Sequence, residues 1–435
     1  MQSPPKNTSV LVLGAGLTGM SAALDLIRRG VDFALFESKS LVGGLAVTST
    51  EGPYRFDHTG HLLHLRDAER RERTLKLLDD APLPIHRNSF IFSEGVFTKY
   101  PYQSNTFGLP PDTAFECVFD FVRAFYQNPK PVAENFEDFC RIHFGNAISD
   151  RFMLPYNGRL WGVPPKEVTT EWCDRFVPRP SLEDVLAGAV GKPHKELGYN
   201  AVGFYPQYGI GELTQAMGRR IPSLHTNSPV CRIEPSKKLC HFGAASTSYR
   251  TLISTLPLTK LVPLIDNVPA PIAQATKELR CSSLYYLDVA LRRRPKHHFH
   301  WIYVPESRFD FYRVGNYAAF SEAMAPLHAA NLYVELVGRS KPDLSELWPR
   351  VAKGLIEMGI IETVDDVEFY RLRHIEHAYV IYDQKRRQSL PQIVDYLAQI
   401  GVISTGRYGG WNYSSMEDAL RFGEDAVAKA VEQLT

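Results

Sequence analysis

Apolar and polar positions along the chain switch between two periods, and the first switch is the most informative. Val10 to Leu13 is a short unbroken apolar run, the pattern of a strand buried on both faces. It ends directly in Gly14-Ala15-Gly16-Leu17-Thr18-Gly19, and apolar residues then recur at helical spacing from Met20 to Arg29. Gly30 stops that helix, a second apolar strand covers Phe33 to Phe36, and Glu37 closes it. Strand, glycine turn, helix, strand and acid in this register form the fingerprint of a dinucleotide site. Gly14 permits the tight turn, Gly16 lets a pyrophosphate approach the backbone, and Gly19 lets the helix pack against the strand. The helix N-terminus, with Leu17 and Thr18 in the turn that leads into it, offers free N–H groups and a positive dipole end to the phosphates. Glu37 is placed to accept from a ribose 2′-OH.

The residues after Glu37 decide which dinucleotide. Ser38 begins a polar stretch, and Gly43-Gly44-Leu45 follows, a second glycine pair giving another close backbone approach to a phosphate. An ordinary surface turn is the plain alternative for that pair. Flavoproteins that hold extended FAD resemble this spacing, and in them the next segment, here Tyr54 to His64 with Gly60 and His61, runs along the flavin ring. The far end of the chain returns to the same site. Gly401 to Thr405 reads as a strand, Gly406 to Trp411 (with Arg407) as a glycine-rich turn, and Met416 to Leu434 as a helix. Further elements are a helix from Glu212 to Arg220 and a strand from Thr251 to Thr255. Helical spacing dominates residues 105–190, whereas 280–380 holds strand-like runs at Ser283 to Leu291, Trp301 to Val304 and Leu332 to Val337. The expected fold is α/β: a discontinuous Rossmann-type FAD-binding domain (1–104, 191–279, 381–435) with a helical insertion (105–190) and an antiparallel β-sheet insertion (280–380).

Composition narrows the partners. At 435 residues and a net charge of +1, nothing electrostatic argues for nucleic acid or an anionic membrane surface. The six cysteines show no CxxC, against a disulfide framework or a structural zinc site and in favour of a reducing compartment. The start, MQSPPKNTSV, lacks a signal-peptide pattern, so a cytoplasmic location is expected. No metal site is expected, and a homo-oligomer is compatible with the composition.

The insertions are rich in aromatic, arginine and amide side chains: Lys99-Tyr100-Pro101-Tyr102-Gln103-Ser104-Asn105, Phe152 to Pro164, Trp301 to Glu306, Phe311-Tyr312-Arg313, Glu376-His377-Ala378-Tyr379 and Gly410-Trp411-Asn412-Tyr413. Such a set suits a nucleotide sugar: aromatic faces stack a base, an amide reads its edge, and guanidinium and phenol groups neutralise a diphosphate. An amine or porphyrin oxidase would not call for that polar set.

In these motifs, taken in order along most of the chain, the sequence resembles the UDP-galactopyranose mutases, particularly the eukaryotic type. The resemblance implies a non-redox use of reduced FAD: its N5 attacks the anomeric carbon, UDP leaves, and the sugar recloses between galactopyranose and galactofuranose. NADPH or NADH is then the expected reductant. The resemblance also implies roles. Arg313 and Arg175 would meet the diphosphate; Tyr303, Tyr379 and Tyr413 would add hydroxyl contacts; Tyr100, Tyr102, Gln103, Asn157 and Trp161 would surround the uridine. Asn200 would sit near sugar and flavin, and His61 against the flavin. Plain alternatives stand beside these: core packing for Trp161, Tyr156 and Tyr303, and an ordinary ion pair with Asp174 or Glu171 for Arg175. Two departures from the family stand out, Thr59-Gly60-His61 for Gly-Gly-His and a shortened turn at Ser414 to Ala419. Two further functions remain open on the same fold, an amine or protoporphyrinogen oxidase and a FAD- and nucleotide-binding homologue without turnover.

Overall fold

The computed structural model describes residues 4–192, 202–338 and 340–434. Asn200, expected near the sugar, lies outside the described residues. The fold is the mixed α/β arrangement expected from the sequence. One seven-stranded sheet is built on β1 (Asn7–Leu13), which lies parallel between β2 (Phe33–Phe36) and the long strand Ala245–Ser254. Val402–Ser404, from the far end of the chain, pairs parallel with Ala245–Ser254. Val10 to Leu13 are all buried: Val10 and Val12 lie under the helices α1 (Leu17–Arg28) and Met416–Leu434, and Leu11 and Leu13, on the other face, join the larger core. A Cβ at Gly423 would stand 2.5 Å from the Thr18 carbonyl, so the C-terminal helix reaches α1 only through a glycine.

The second seven-stranded sheet runs in the order Val367–Val380, Cys281–Leu291, Ala330–Leu336, Phe311–Asn316, Trp301–Tyr303, Ser89–Ser93, Val96–Lys99. Its neighbours are antiparallel except Trp301–Tyr303 with Ser89–Ser93, which are parallel. This corrects the expected first segment at its end. Ser89–Lys99 belongs to the insertion sheet, since the apolar Phe90 to Phe92 extend its edge beside Trp301–Tyr303. The helical part comprises Pro111–Tyr126, Phe136–Ile148, Leu154–Trp161 and Leu182–Ala189. It is fastened to the sheet by Arg159, whose half-buried guanidinium donates to the carbonyls of Val304, Glu306, Phe309 and Phe311. Four accepting carbonyls replace the water lost on burial.

A contact links the sheet to the loop that follows the strand Tyr54–Asp57. Tyr333 is fully buried opposite Gly315, and its ring and hydroxyl also face Gly60. A Cβ at either glycine would overlap it. Gly315→Ala should therefore destabilise the chain by about 1–3 kcal/mol, the usual penalty for overpacking. A lowered urea midpoint in Gly315→Ala, restored in part by Tyr333→Ala, would check this; an unchanged midpoint would refute the wedge.

Candidate active site

The first half of the site is backbone. Gly14 holds φ +94°, and a Cβ there would run into Thr255 Oγ1, so the turn at the end of β1 admits only glycine. Gly43 N–H donates to the Ala15 carbonyl at 2.8 Å, and Gly16 bridges Gly43. Gly44 lies against Gly16, where a Cβ would stand 3.2 Å from the Gly16 Cα. Both glycine pairs thus meet at the start of α1, whose N-cap, Gly16, brings no side-chain cap and whose first turn has no acid. Leu17 and Thr18 open the helix, and Gly19 packs onto Gly14. Gly406, at φ +86°, approaches Thr18 from the C-terminal segment, 2.9 Å from its hydroxyl if a Cβ were present. Uncapped N–H groups in a cradle of backbone without side chains fit the pyrophosphate of a dinucleotide. Glu37 ends β2 with one oxygen on Ala15 N (2.9 Å) and the other on Lys39 N (2.9 Å) and the Ser38 hydroxyl (3.1 Å). Its carboxylate is held at the cradle's edge. Leu45 is half-buried beyond Gly44 and packs on the core.

Asp57 fastens the next segment. It is buried and accepts from Thr48 Oγ1 (2.6 Å), Tyr205 OH (2.7 Å) and Ile210 N (3.2 Å). Burial pushes its carboxyl up to about 7 despite those donors. Thr59 follows at φ +66°, the left-handed region in which a β-branched residue is strained. Gly60 rests on Tyr333. His61 Nδ1 lies 3.2 Å from the Thr59 carbonyl. Burial above all, with the charges of His58, Arg407 and Arg313 adding to it, lowers the imidazole to about 4. At neutral pH it is uncharged, and Nδ1–H donating to Thr59 leaves Nε2 as an acceptor.

Around this loop stand the aromatic and cationic groups. Arg313, a register neighbour of Tyr303 and Glu335, pairs with the buried Glu335 carboxylate and donates to Tyr379 OH at 3.1 Å. Arg407 donates to two neutral acceptors, the carbonyls of Ser414 (2.8 Å) and Ala378 (3.0 Å), and lies 5.0 Å from the Tyr413 ring centre. Among the described residues it has no carboxylate partner. Trp161 is edge-on to both Tyr379 (5.8 Å) and Tyr413 (5.9 Å). Tyr303 accepts from Trp301 Nε1 at 2.7 Å and lies 5.0 Å from Tyr100, whose ring is covered by Arg87 at 4.4 Å. These groups come together.

Others stand behind them. Tyr102 is fully buried, stacked on Phe152, which stacks on Tyr156. Gln103 donates to the Pro178 carbonyl (2.7 Å) and Asn157 to that of Met153 (2.8 Å), so both amides brace backbone. Arg175 is in an ion pair, though not with Asp174 or Glu171. It grips both oxygens of Asp418 at 2.7 and 2.6 Å, while Asp174 pairs with Arg179 and Glu171 with Arg386 and Arg387. The turn before the last helix explains this: Ser415 and Asp418 cap the helix reciprocally (2.8 and 3.2 Å), which points Asp418 at Arg175. Ser415-x-x-Asp418 before an apolar helix was a readable cap. The Glu335 partner of Arg313 had a signal too, a lone carboxylate inside the apolar strand Leu332 to Val337.

The sequence profile of the flavin-containing amine oxidoreductases matches residues 17–430. The chain belongs to that family. A flavin is therefore the cofactor whose phosphates the cradle fits. The fold is similar to that of a reduced UDP-galactopyranose mutase, at 24% identity over 98% of this chain and 96% of that one, with a TM-score of 0.91. A putative protoporphyrinogen oxidase from Exiguobacterium sp. 255-15 shares it at 12% identity over 99% and 100% of the two chains (TM-score 0.76). So does a putrescine oxidase, at 13% identity over 99% and 100% (TM-score 0.69). No helix among the described residues is long and apolar enough to cross a membrane.

Two outcomes follow for this flavoprotein. Gly16→Val should leave a folded chain without flavin, read as loss of visible absorbance with unchanged circular dichroism; retained flavin would move the phosphates elsewhere. Because the Asp57 carboxyl is raised from 3.8 to about 7, the folded chain holds a proton that the unfolded chain releases. Its contribution is full below about pH 4 and is lost as pH rises through 7. Asp288, likewise raised to about 7, adds to the same slope. His58, His61, His64 and His300, each lowered to about 4 by burial, act in the opposite sense, so the Asp57 contribution is read by difference: the urea midpoint of the wild type minus that of Asp57→Asn should fall as pH rises from 5 to 7.5.

Proposed function

We propose that this flavoprotein binds FAD and acts, with the flavin reduced, as a ring mutase that interconverts UDP-galactopyranose and UDP-galactofuranose or a closely related nucleotide sugar. One observation carries the reading: Arg407, flanked by aromatic rings and with no carboxylate partner among the described residues, stands with Arg313 close enough to His61 that both charges are felt there. An uncompensated cation in a half-buried cleft stabilises an anion, and a cationic amine substrate would be repelled by it. Two guanidiniums with the hydroxyls of Tyr379 and Tyr413 suit a diphosphate. The similarity of fold to a UDP-galactopyranose mutase supports the same reading.

Reduced FAD bound in the cradle supplies a nucleophile for the anomeric carbon with no net electron transfer, and NADPH or NADH would supply its electrons. The residues of the chain do the rest. Arg313 and Arg407 hold the departing diphosphate so that it can return. Tyr100, Tyr303 and Trp161 provide faces for the uridine. Arg175 and Asp418 fix the turn that carries Tyr413 and Ser414. A neutral His61 offers Nε2 as a hydrogen-bond acceptor beside the flavin loop.

The test is incubation of the holoprotein with UDP-galactofuranose, with and without dithionite, followed by chromatography of the nucleotide sugars. Product only after reduction is expected. Arg313→Ala should then lose about 100-fold or more in turnover with flavin retained, in line with removal of a charge-stabilising donor. The substitution strands the buried Glu335, so Arg313→Ala/Glu335→Gln serves as the folding control. Near-normal activity in both would sink the diphosphate role. The family match gives an amine oxidase as the second reading. It predicts no sugar product and peroxide formation with an amine under air.

A further inference from the structure

Arg386 lies in the first turn of the helix Gln384–Gln399, at the positive end of the helix dipole, and is only 8% exposed. A guanidinium needed for its charge alone would sit in neither place. Its Nε–H donates to the Trp411 carbonyl at 2.9 Å, and Nη1 donates to Glu171 at 3.1 Å. The guanidinium carbon lies 3.9 Å from the centre of the Tyr382 ring, and the Tyr382 hydroxyl accepts from Tyr413 N–H at 2.8 Å. Trp411 is fully buried and holds φ +46°, a conformation that a bulky residue adopts only where its surroundings impose it.

The short segment Glu171 to Arg175 holds this turn at both ends. Glu171 reaches Trp411 through Arg386, and Arg175 takes Asp418 directly. Between the two grips lie Tyr413 and Ser414. The Tyr413 ring centre is 5.0 Å from the Arg407 guanidinium, and the Ser414 carbonyl accepts from Arg407 at 2.8 Å. The chain is therefore tied at residue 411 by Arg386, at 413 by Tyr382 and at 414 by Arg407. The first two ties are not independent, because Arg386 and Tyr382 lie face to face.

We propose that Arg386 is a positioning residue for the diphosphate end of the site: by holding the Trp411 carbonyl and lying on Tyr382, it fixes Tyr413 and Ser414, and through them the direction of the Arg407 guanidinium. The inference rests on the nucleotide-sugar reading and adds to it a residue that acts from behind the turn. Arginine suits the task because a planar fork aims Nε–H at a carbonyl and Nη at a carboxylate while one face stays on a ring. Lysine would keep the charge and lose that geometry, which separates the two contributions. Misdirection of Arg407 weakens what binds through phosphate and spares what binds through the base.

The test is calorimetric titration of the flavin-loaded full chain with UDP, and with uridine by competition against UDP. In Arg386→Lys the UDP dissociation constant should rise about tenfold, the size of one misaligned charged hydrogen bond, while that of uridine stays within about twofold. Flavin absorbance and circular dichroism should be unchanged. Tyr382→Phe keeps the ring under Arg386 and removes only the acceptor of Tyr413 N–H, so it should weaken UDP in the same direction by about threefold. A purely structural role would loosen UDP and uridine together, and an unchanged ratio of the two would overturn the proposal. Should Arg386→Lys lose its flavin, Tyr382→Phe decides alone: unaltered UDP affinity there would overturn it. A wild-type chain that binds no UDP would overturn the nucleotide-sugar reading and this inference with it, whereas UDP binding indifferent to both substitutions would overturn the positioning role alone.

Discussion

The first turn of α1 is approached by backbone from three directions, and each approach depends on the absence of a side chain. Gly43 and Gly44 come from the loop after β2, Gly406 from the strand end at Ser404, and Gly423 from the last helix. Close approach of this kind leaves N–H groups at a helix start uncovered by side chains, which is the condition for holding a phosphate. It also explains why the chain must leave the first sheet twice and return. The last helix and the strand Val402–Ser404 complete the covering of β1 and α1 only after the insertions have been made. The dinucleotide unit is thus closed by residues nearly 400 positions from its opening, as the Ser21 hydroxyl on the Leu420 carbonyl shows (|i−j| = 399).

The second sheet is organised around a buried charge. Glu335 is wholly buried, and Arg313 beside it is the cation that makes this tolerable. The pair leaves Glu335 Oε2 and Arg313 Nε without hydrogen-bond partners, so it is not a saturated structural bridge. A guanidinium anchored from behind by a carboxylate keeps its remaining donors fixed in direction, at the cost of part of its charge. Arg407, which is anchored by neutral carbonyls, keeps its full charge. The site therefore combines one oriented cation with one unneutralised cation.

The elements were legible where a single stretch carried the whole signal. The glycines between β1 and α1, the acid Glu37 and the helix Met416–Leu434 all follow from local spacing. So did three strands of the insertion sheet, Cys281–Leu291, Trp301–Tyr303 and Ala330–Leu336, to within about two residues, whereas Phe311–Asn316 and the long Val367–Val380 carry no such local signal. Ser89–Lys99 joins the insertion sheet although its place in the chain suggests the first segment, because strand pairing across more than 200 positions leaves no local mark. The aromatic cluster was readable as chemistry and not as depth. Nothing in Tyr100-Pro101-Tyr102 distinguishes the ring that faces Arg87 from the ring that stacks on Phe152. Arg175 shows the same limit: its sequence neighbours Asp174 and Glu171 were the visible partners, and the real one, Asp418, came from the other end of the chain.

Tyr333 reaches across the interior to fill the space left by two missing side chains, at Gly315 on its own sheet and at Gly60 on the loop beside His61. No one of these three positions can change size alone. A larger residue at 60 or 315 needs a smaller one at 333, and a smaller residue at 333 opens a void beneath the loop. In descendants of this chain the three should drift as a single character. Their covariation would then trace how the loop beside His61 and the insertion sheet have been kept in step.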